Sequence, residues 1–96
     1  MKLGPVDAIP LGEGRAFAVG EEQVAVFRLR DGTLRATQAR CPHAGGPLAD
    51  GQLDMTQIVC PLHTRAFSFA DGQCAEGEVI KVHTAYDDGG EIVLDL

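Results

Sequence analysis

Two short stretches carry the residues best suited to hold a metal, Cys41-Pro42-His43 and Cys60-Pro61-Leu62-His63. Each offers one thiolate and one imidazole, and sixteen residues separate His43 from Cys60. Four such donors suit a single zinc ion, for which two cysteines and two histidines are a common set. They also supply the terminal ligands of two irons bridged by two sulfides, two per iron. Zinc fingers usually place Cys beside Cys and His beside His. Here each half is mixed and the first gap is one residue. That pairing favours the two-iron arrangement over zinc, and both over a Cys41–Cys60 disulfide with incidental histidines. Cys74 has no nearby histidine and reads as a spare thiol. His83 reads as a solvent-facing or otherwise satisfied strand histidine.

The elements that must position these loops are strands. Glycine and proline make up seventeen of the 96 residues, and four Asp-Gly pairs punctuate the chain. They are Asp31-Gly32, Asp50-Gly51, Asp71-Gly72 and Asp88-Gly89. Asp-Gly between alternating apolar runs marks a hairpin, because both residues tolerate positive φ. From Gln23 to Arg30, Ala25, Phe27 and Leu29 alternate against Arg28 and Arg30, a strand period. After Asp31-Gly32 the chain resumes with Leu34 and Ala36 on one face, a hairpin leading straight into Cys41. Arg15 to Val19 reads as an earlier strand and Val6 to Ile9 as another. Gln57-Ile58-Val59 is a strand that delivers Cys60 to its loop. Phe67 and Phe69 share a core face, and Val79 to Val82 and Ile92 to Leu96 complete the set. Asp87-Asp88 reads as a turn. No window of helical length carries a clean 3.6-residue apolar period. The expectation is an all-β chain, a small antiparallel sandwich or barrel in one domain over residues 1–96.

Composition narrows the partners. Eight basic against fourteen acidic residues leave a formal charge of −6, and nucleic-acid affinity rests on lysine and arginine clusters that this chain lacks. An acidic surface suits docking on a basic patch of another protein. No run approaches the ~18 apolar residues of a membrane span. The start, Met1-Lys2-Leu3-Gly4-Pro5, has no apolar segment of a secretory signal. Three cysteines are an odd number for a disulfide framework. The expected compartment is the cytoplasm, with no membrane attachment.

Cys-x-His, sixteen residues, then Cys-x-x-His resembles the Rieske cluster-binding motif. Cys41-Pro42-His43-Ala44-Gly45-Gly46-Pro47-Leu48 and Cys60-Pro61-Leu62-His63 are similar to the wording of soluble Rieske ferredoxins. They come closest to the small subunit of NAD(P)H-dependent nitrite reductase. The resemblance is specific over residues 36–74. It implies one Rieske 2Fe–2S cluster, with Cys41 and Cys60 on an inner iron and His43 and His63 on an outer one through Nδ1. It also implies a cluster-binding lobe, about residues 40–70, inserted between supporting sheets. Two neutral imidazoles donate less negative charge than two thiolates. Potentials accordingly rise from roughly −400 mV in all-cysteine plant-type ferredoxins to about −150 to +300 mV in Rieske centres. Pro42 and Pro61 stiffen the loops, while Gly45 and Gly46 let backbone N–H groups approach the sulfides.

Departures from the family pattern refine the expectation. Respiratory Rieske proteins carry a loop–loop disulfide where this chain has Gly46 and Leu62, and hydroxyl donors where it has Arg65 and Phe67. Their loss points to the lower half of the Rieske potential range, while a solvated Arg65 cation near the cluster would favour the reduced form. Thr64 stands where ferredoxin-type relatives often have glycine, and residues 74–78 lack the proline of a third covering loop. A terminal oxygenase is excluded by arithmetic. Its mononuclear iron needs two more histidines and a carboxylate, and only His83 remains. No Gly-x-Gly-x-x-Gly offers a nicotinamide or flavin site. The expected role is therefore an electron-transfer component rather than a catalyst by itself. Its partner would be a reductase large subunit or, as a free ferredoxin, a ferredoxin reductase and an aromatic-ring oxygenase. A zinc-stabilised interaction module is the third reading.

Overall fold

The computed structural model describes residues 1–42, 45–62 and 65–95. The strands are β1 (Lys2–Pro5), β2 (Glu13–Val19), β3 (Glu22–Arg28), β4 (Leu34–Gln38), β5 (Gln52–Leu53), β6 (Gln57–Val59), β7 (Ala66–Ser68), β8 (Val82–Asp88) and β9 (Glu91–Asp95). They form a six-stranded sheet in the order β1-β9-β8-β4-β3-β2 and a three-stranded sheet in the order β5-β6-β7. All the pairings are antiparallel. The larger sheet curls into a nearly closed barrel, so the all-β expectation holds. Two single 3-10 turns, Val6–Ala8 and Leu48–Asp50, are the helical content of the described residues.

β3 explains how the two sheets come together. Its alternation predicts one covered face, yet Val24, Ala25, Val26 and Phe27 are all fully buried. Val24 and Val26 point into the barrel with Leu34, Ala36, Ala85, Ile92 and Leu94. Ala25, Phe27 and Leu29 point the other way, into a second core closed by Leu48, Ile58, Phe67, Phe69 and Ile80. A strand covered on both faces loses its polar side, as buried strands do. Phe27 meets Phe69 with ring centroids 5.3 Å apart and planes tilted by 51°, a favourable aromatic arrangement. The small sheet thus sits on the outside of the barrel, and both cysteines that open the candidate loops belong to this outer core.

Several local expectations shift. Val6 to Ile9 is a 3-10 turn rather than a strand, with the Ile9 N–H donating to the Val6 carbonyl at 3.0 Å. Residues i and i+3 eclipse in such a turn, and Val6 and Ile9 accordingly enter the barrel core together. The first strand lies earlier, at Lys2–Pro5. Residues 79–81 stand outside β8, because the Ile80 N–H donates to the Gly72 carbonyl at 2.9 Å instead of to a ladder. Asp87 and Asp88 are the last two residues of β8, and the Asp87 carboxylate accepts the Gly90 N–H at 2.7 Å, so the turn proper is Gly89-Gly90. Asp31-Gly32 and Asp88-Gly89 join hairpins as expected, but Asp50-Gly51 does not. Gly51 has φ −75° and is glycine for space: a Cβ there would collide with the Val59 carbonyl oxygen. Val19 pairs with Glu22 across Gly20-Glu21, a hairpin without an Asp-Gly signal. Leu96, expected to end the last strand, lies outside the described residues.

Candidate cluster-binding site

The first loop grows from the end of β4. Its base is held where the Leu48 N–H donates to the Ala39 carbonyl at 2.9 Å, and Arg40 and Pro47 form a bridge one step further out. The Cys41 N–H then donates to the Gly46 carbonyl at 2.9 Å, and the Gly45 N–H to the Cys41 carbonyl at 2.7 Å. This nesting of bonds fixes the Cys41 backbone from both sides. It also spends the Gly45 N–H on the loop itself.

The second loop is the tip of a hairpin. β6 pairs with β7 up to Val59 and Ala66, and the Cys60 N–H donates to the Arg65 carbonyl at 2.8 Å beyond that pair. As read from the sequence, Gln57–Val59 carries Cys60 to its place.

Cys41 and Cys60 are 1% and 0% exposed. The loops touch at Gly46. A Cβ on that residue would lie 3.1 Å from the Cys60 Sγ and 3.1 Å from the Leu62 side chain, tighter than an ordinary contact. Positions 46 and 62, inferred above to face each other across the loops, therefore do so. Two soft sulfur donors buried in one core, with a side-chain-free cradle against one of them, fit an iron–sulfur group. Outside that core Pro42, Pro61 and Leu62 are exposed, Leu62 at 58%. His43 and His63, the expected nitrogen ligands, lie outside the described residues, as does Thr64.

Of the remaining candidates, Arg65 falls differently from expectation. Arg65 is no solvated cation: its Nη1 stands 2.8 Å from Glu78 Oε1 and 4.0 Å from Glu76 Oε1. Cys74, read as a spare thiol, is a member of the outer core, and its Sγ donates to Glu76 Oε1 at 2.8 Å. That hydrogen bond holds the Glu76 carboxyl below its ordinary value. Phe67 and Phe69 are core residues, as expected. His83 in β8 is half-buried and lines a cleft of about 600 Å³ with Glu21, Glu22, Gln38, Arg40 and Lys81. Charges of both signs line that cleft, which includes neither Cys41 nor Cys60. Glu76 and Glu78 were missed from the sequence, because their pairing with Arg65 spans a turn of the chain rather than a periodic spacing.

An all-β fold that presents two loops, each opening on a buried cysteine, has sulfur donors placed as an iron–sulfur protein needs them. The family model for the Rieske 2Fe–2S domain matches residues 1–87, and the chain belongs to that family. Its cofactor is accordingly a Rieske-type 2Fe–2S cluster. It is similar to the ferredoxin component of the naphthalene 1,2-dioxygenase system of Pseudomonas aeruginosa, at 29% identity over 91 residues, covering 92% of this chain and 86% of that protein. The ferredoxin of Sphingomonas yanoikuyae B1 superposes with a TM-score of 0.84 at 28% identity, covering 100% of this chain and 97% of that one. A Mycobacterium tuberculosis protein, provisionally described as an NADH-dependent nitrite reductase small subunit, superposes with a TM-score of 0.89 at 24% identity. That match covers 100% of this chain and 94% of the other, and shows the shared fold.

Proposed function

We propose that this chain is the small electron-transfer subunit of a nitrite-reductase-like, NAD(P)H-dependent oxidoreductase, passing single electrons between protein partners. The observation that carries the electron-transfer reading is the meeting of the two loops at Gly46, against the Cys60 sulfur, in a chain of the Rieske family. Cys41 and Cys60 would hold one iron, and His43 and His63 the other. When bound, the cluster supplies reversible one-electron chemistry at a potential set by its ligands, hydrogen bonds and exposure. The chain's own contribution is to bury the sulfur donors, to fix the Cys41 and Cys60 backbones by the bonds described, and to leave an apolar rim. Pro42, Pro61 and Leu62 would meet the redox partner there, since a small exposed apolar patch is what such a contact uses. We place the chain in the cytoplasm as one domain, with residues 40–70 as the cluster-binding lobe. No described helix is long and apolar enough to cross a membrane.

The resemblance of the two loops to nitrite reductase small subunits, and the superposition on one so described, favour the reductase assignment. The alternative is a free ferredoxin serving an oxygenase, favoured by the relative named as a dioxygenase ferredoxin component. Purified protein should be red-brown with stoichiometric acid-labile sulfide, and should give a rhombic EPR signal on reduction. A colourless protein with one zinc per chain would replace electron transfer by the interaction module. Capture of partners from nitrate-grown cells then decides between the first two. A large sirohaem- and flavin-bearing subunit supports the reductase reading, and an aromatic-ring oxygenase overturns it in favour of the ferredoxin.

A further inference from the structure

The loop at residues 74–78 stands against the second candidate loop without contributing an expected ligand. Its own shape is closed: the Cys74 N–H donates to the Glu78 carbonyl at 3.0 Å, and the Gly77 N–H to the Cys74 carbonyl at 2.9 Å. Cys74 anchors it in the outer core, to which Cys60 also belongs, and bridges to Phe67. From this anchored loop Glu78 reaches Arg65 at 2.8 Å, and both side chains are mostly covered, at 25% and 22% exposure. Glu76, held by the Cys74 thiol, lies at 4.0 Å. The Arg65 carbonyl is in turn the acceptor that closes the second loop on the Cys60 N–H.

We propose that Glu78 is a positioning residue, which clasps Arg65 to the 74–78 loop, holds the Cys60 loop closed, and cancels the Arg65 charge before it can bias the bound cluster toward reduction. The proposal rests on the iron–sulfur reading above. A partly buried pair is screened by salt far less than a solvated one. Cluster potential responds to nearby net charge and hydrogen bonding. Around the clasp one cation faces two carboxylates, a local charge of −1. E78Q raises that charge to zero, R65Q lowers it to −2, and the double variant restores −1.

The test measures the midpoint potential of the cluster-loaded protein and the amide exchange of residues 58–67 in wild type, E78Q, R65Q and R65Q/E78Q. E78Q should move the potential upward, R65Q downward, and the double variant back near wild type. Exchange across the Cys60 loop should quicken in both single variants. No shift, shifts of the same sign, or unchanged exchange would overturn the clasp. Should E78Q not keep the cluster, R65K takes its place. It retains the charge on a different donor, so wild-type potential with faster exchange is expected, and a shifted potential counts against the proposal. Wild type lacking iron and sulfide would instead sink the functional reading, while the exchange comparison would still report on the clasp.

Discussion

At the residue scale, Gly46 is where sequence and site meet. It was legible as a flexible position in a ligand loop, but its function is steric. The Cys60 sulfur is buried and cannot withdraw, whereas Leu62 is exposed and can. Gly46→Val should therefore lower iron and labile sulfide per chain severalfold while leaving the far-ultraviolet circular dichroism intact. Full loading of the variant would show that the cradle is dispensable. His43→Cys or His63→Cys, judged by redox titration, should shift the potential down toward the all-cysteine range, roughly −400 mV. An upward shift would contradict the charge argument. Arg65 shows the limit of reading residues singly. In the sequence it is one loop cation among eight basic residues; in the fold it has two acidic neighbours.

At the scale of elements, β6 is the carrier of Cys60, and two features hold it. Gly51 lets the chain that follows the first loop pass against the Val59 carbonyl with no room for a Cβ. Gly51→Ala should displace that crossing and lower the melting temperature, at a cost of about 1–3 kcal/mol for overpacking. A wild-type melting curve would refute it. The other feature is the turn before β6, where the Asp54 carboxylate accepts the Thr56 N–H at 2.8 Å, the Gln57 N–H at 2.9 Å and the Thr56 hydroxyl at 3.1 Å. The Thr56 backbone bond holds the Asp54 carboxyl below its ordinary 3.8. A value lower in the folded than in the unfolded chain stabilises the fold above the unfolded value, and the gain is lost as pH falls through the folded one. The melting temperatures of wild type and Asp54→Ala should therefore differ near neutral pH and converge as acid is added below about 3.8. A difference that stays constant would exclude the linkage.

At the scale of the molecule, two cores share β3 but not their fate. The barrel core, built from Val24, Val26, Leu34, Ala36, Ala85, Ile92 and Leu94, contains no expected ligand. The outer core contains Cys41 and Cys60. Metal binding free energy adds to folding free energy where the ligands are, so removal of iron should act unevenly. Amide exchange of the cluster-free chain should quicken across residues 40–70 and remain slow in β8 and β9. Uniform loss of protection would mean that the barrel cannot stand without its cofactor.

The chain's residues alone determined the all-strand class, the hairpins at Asp31-Gly32 and Asp88-Gly89, the strand before Cys60 and the two candidate ligand stretches. These are written in local chemistry, such as alternation, turn residues and the spacing of metal-binding side chains. Tertiary structure alone decided that β3 is covered on both faces, that Val6 and Ile9 share a turn, that Gly51 is needed for a backbone crossing and that Arg65 is clasped by Glu78. Each depends on atoms brought together from distant positions or on space left by a neighbour. No short-range pattern encodes such a meeting, because its energy exists only once the two sheets have closed on one another.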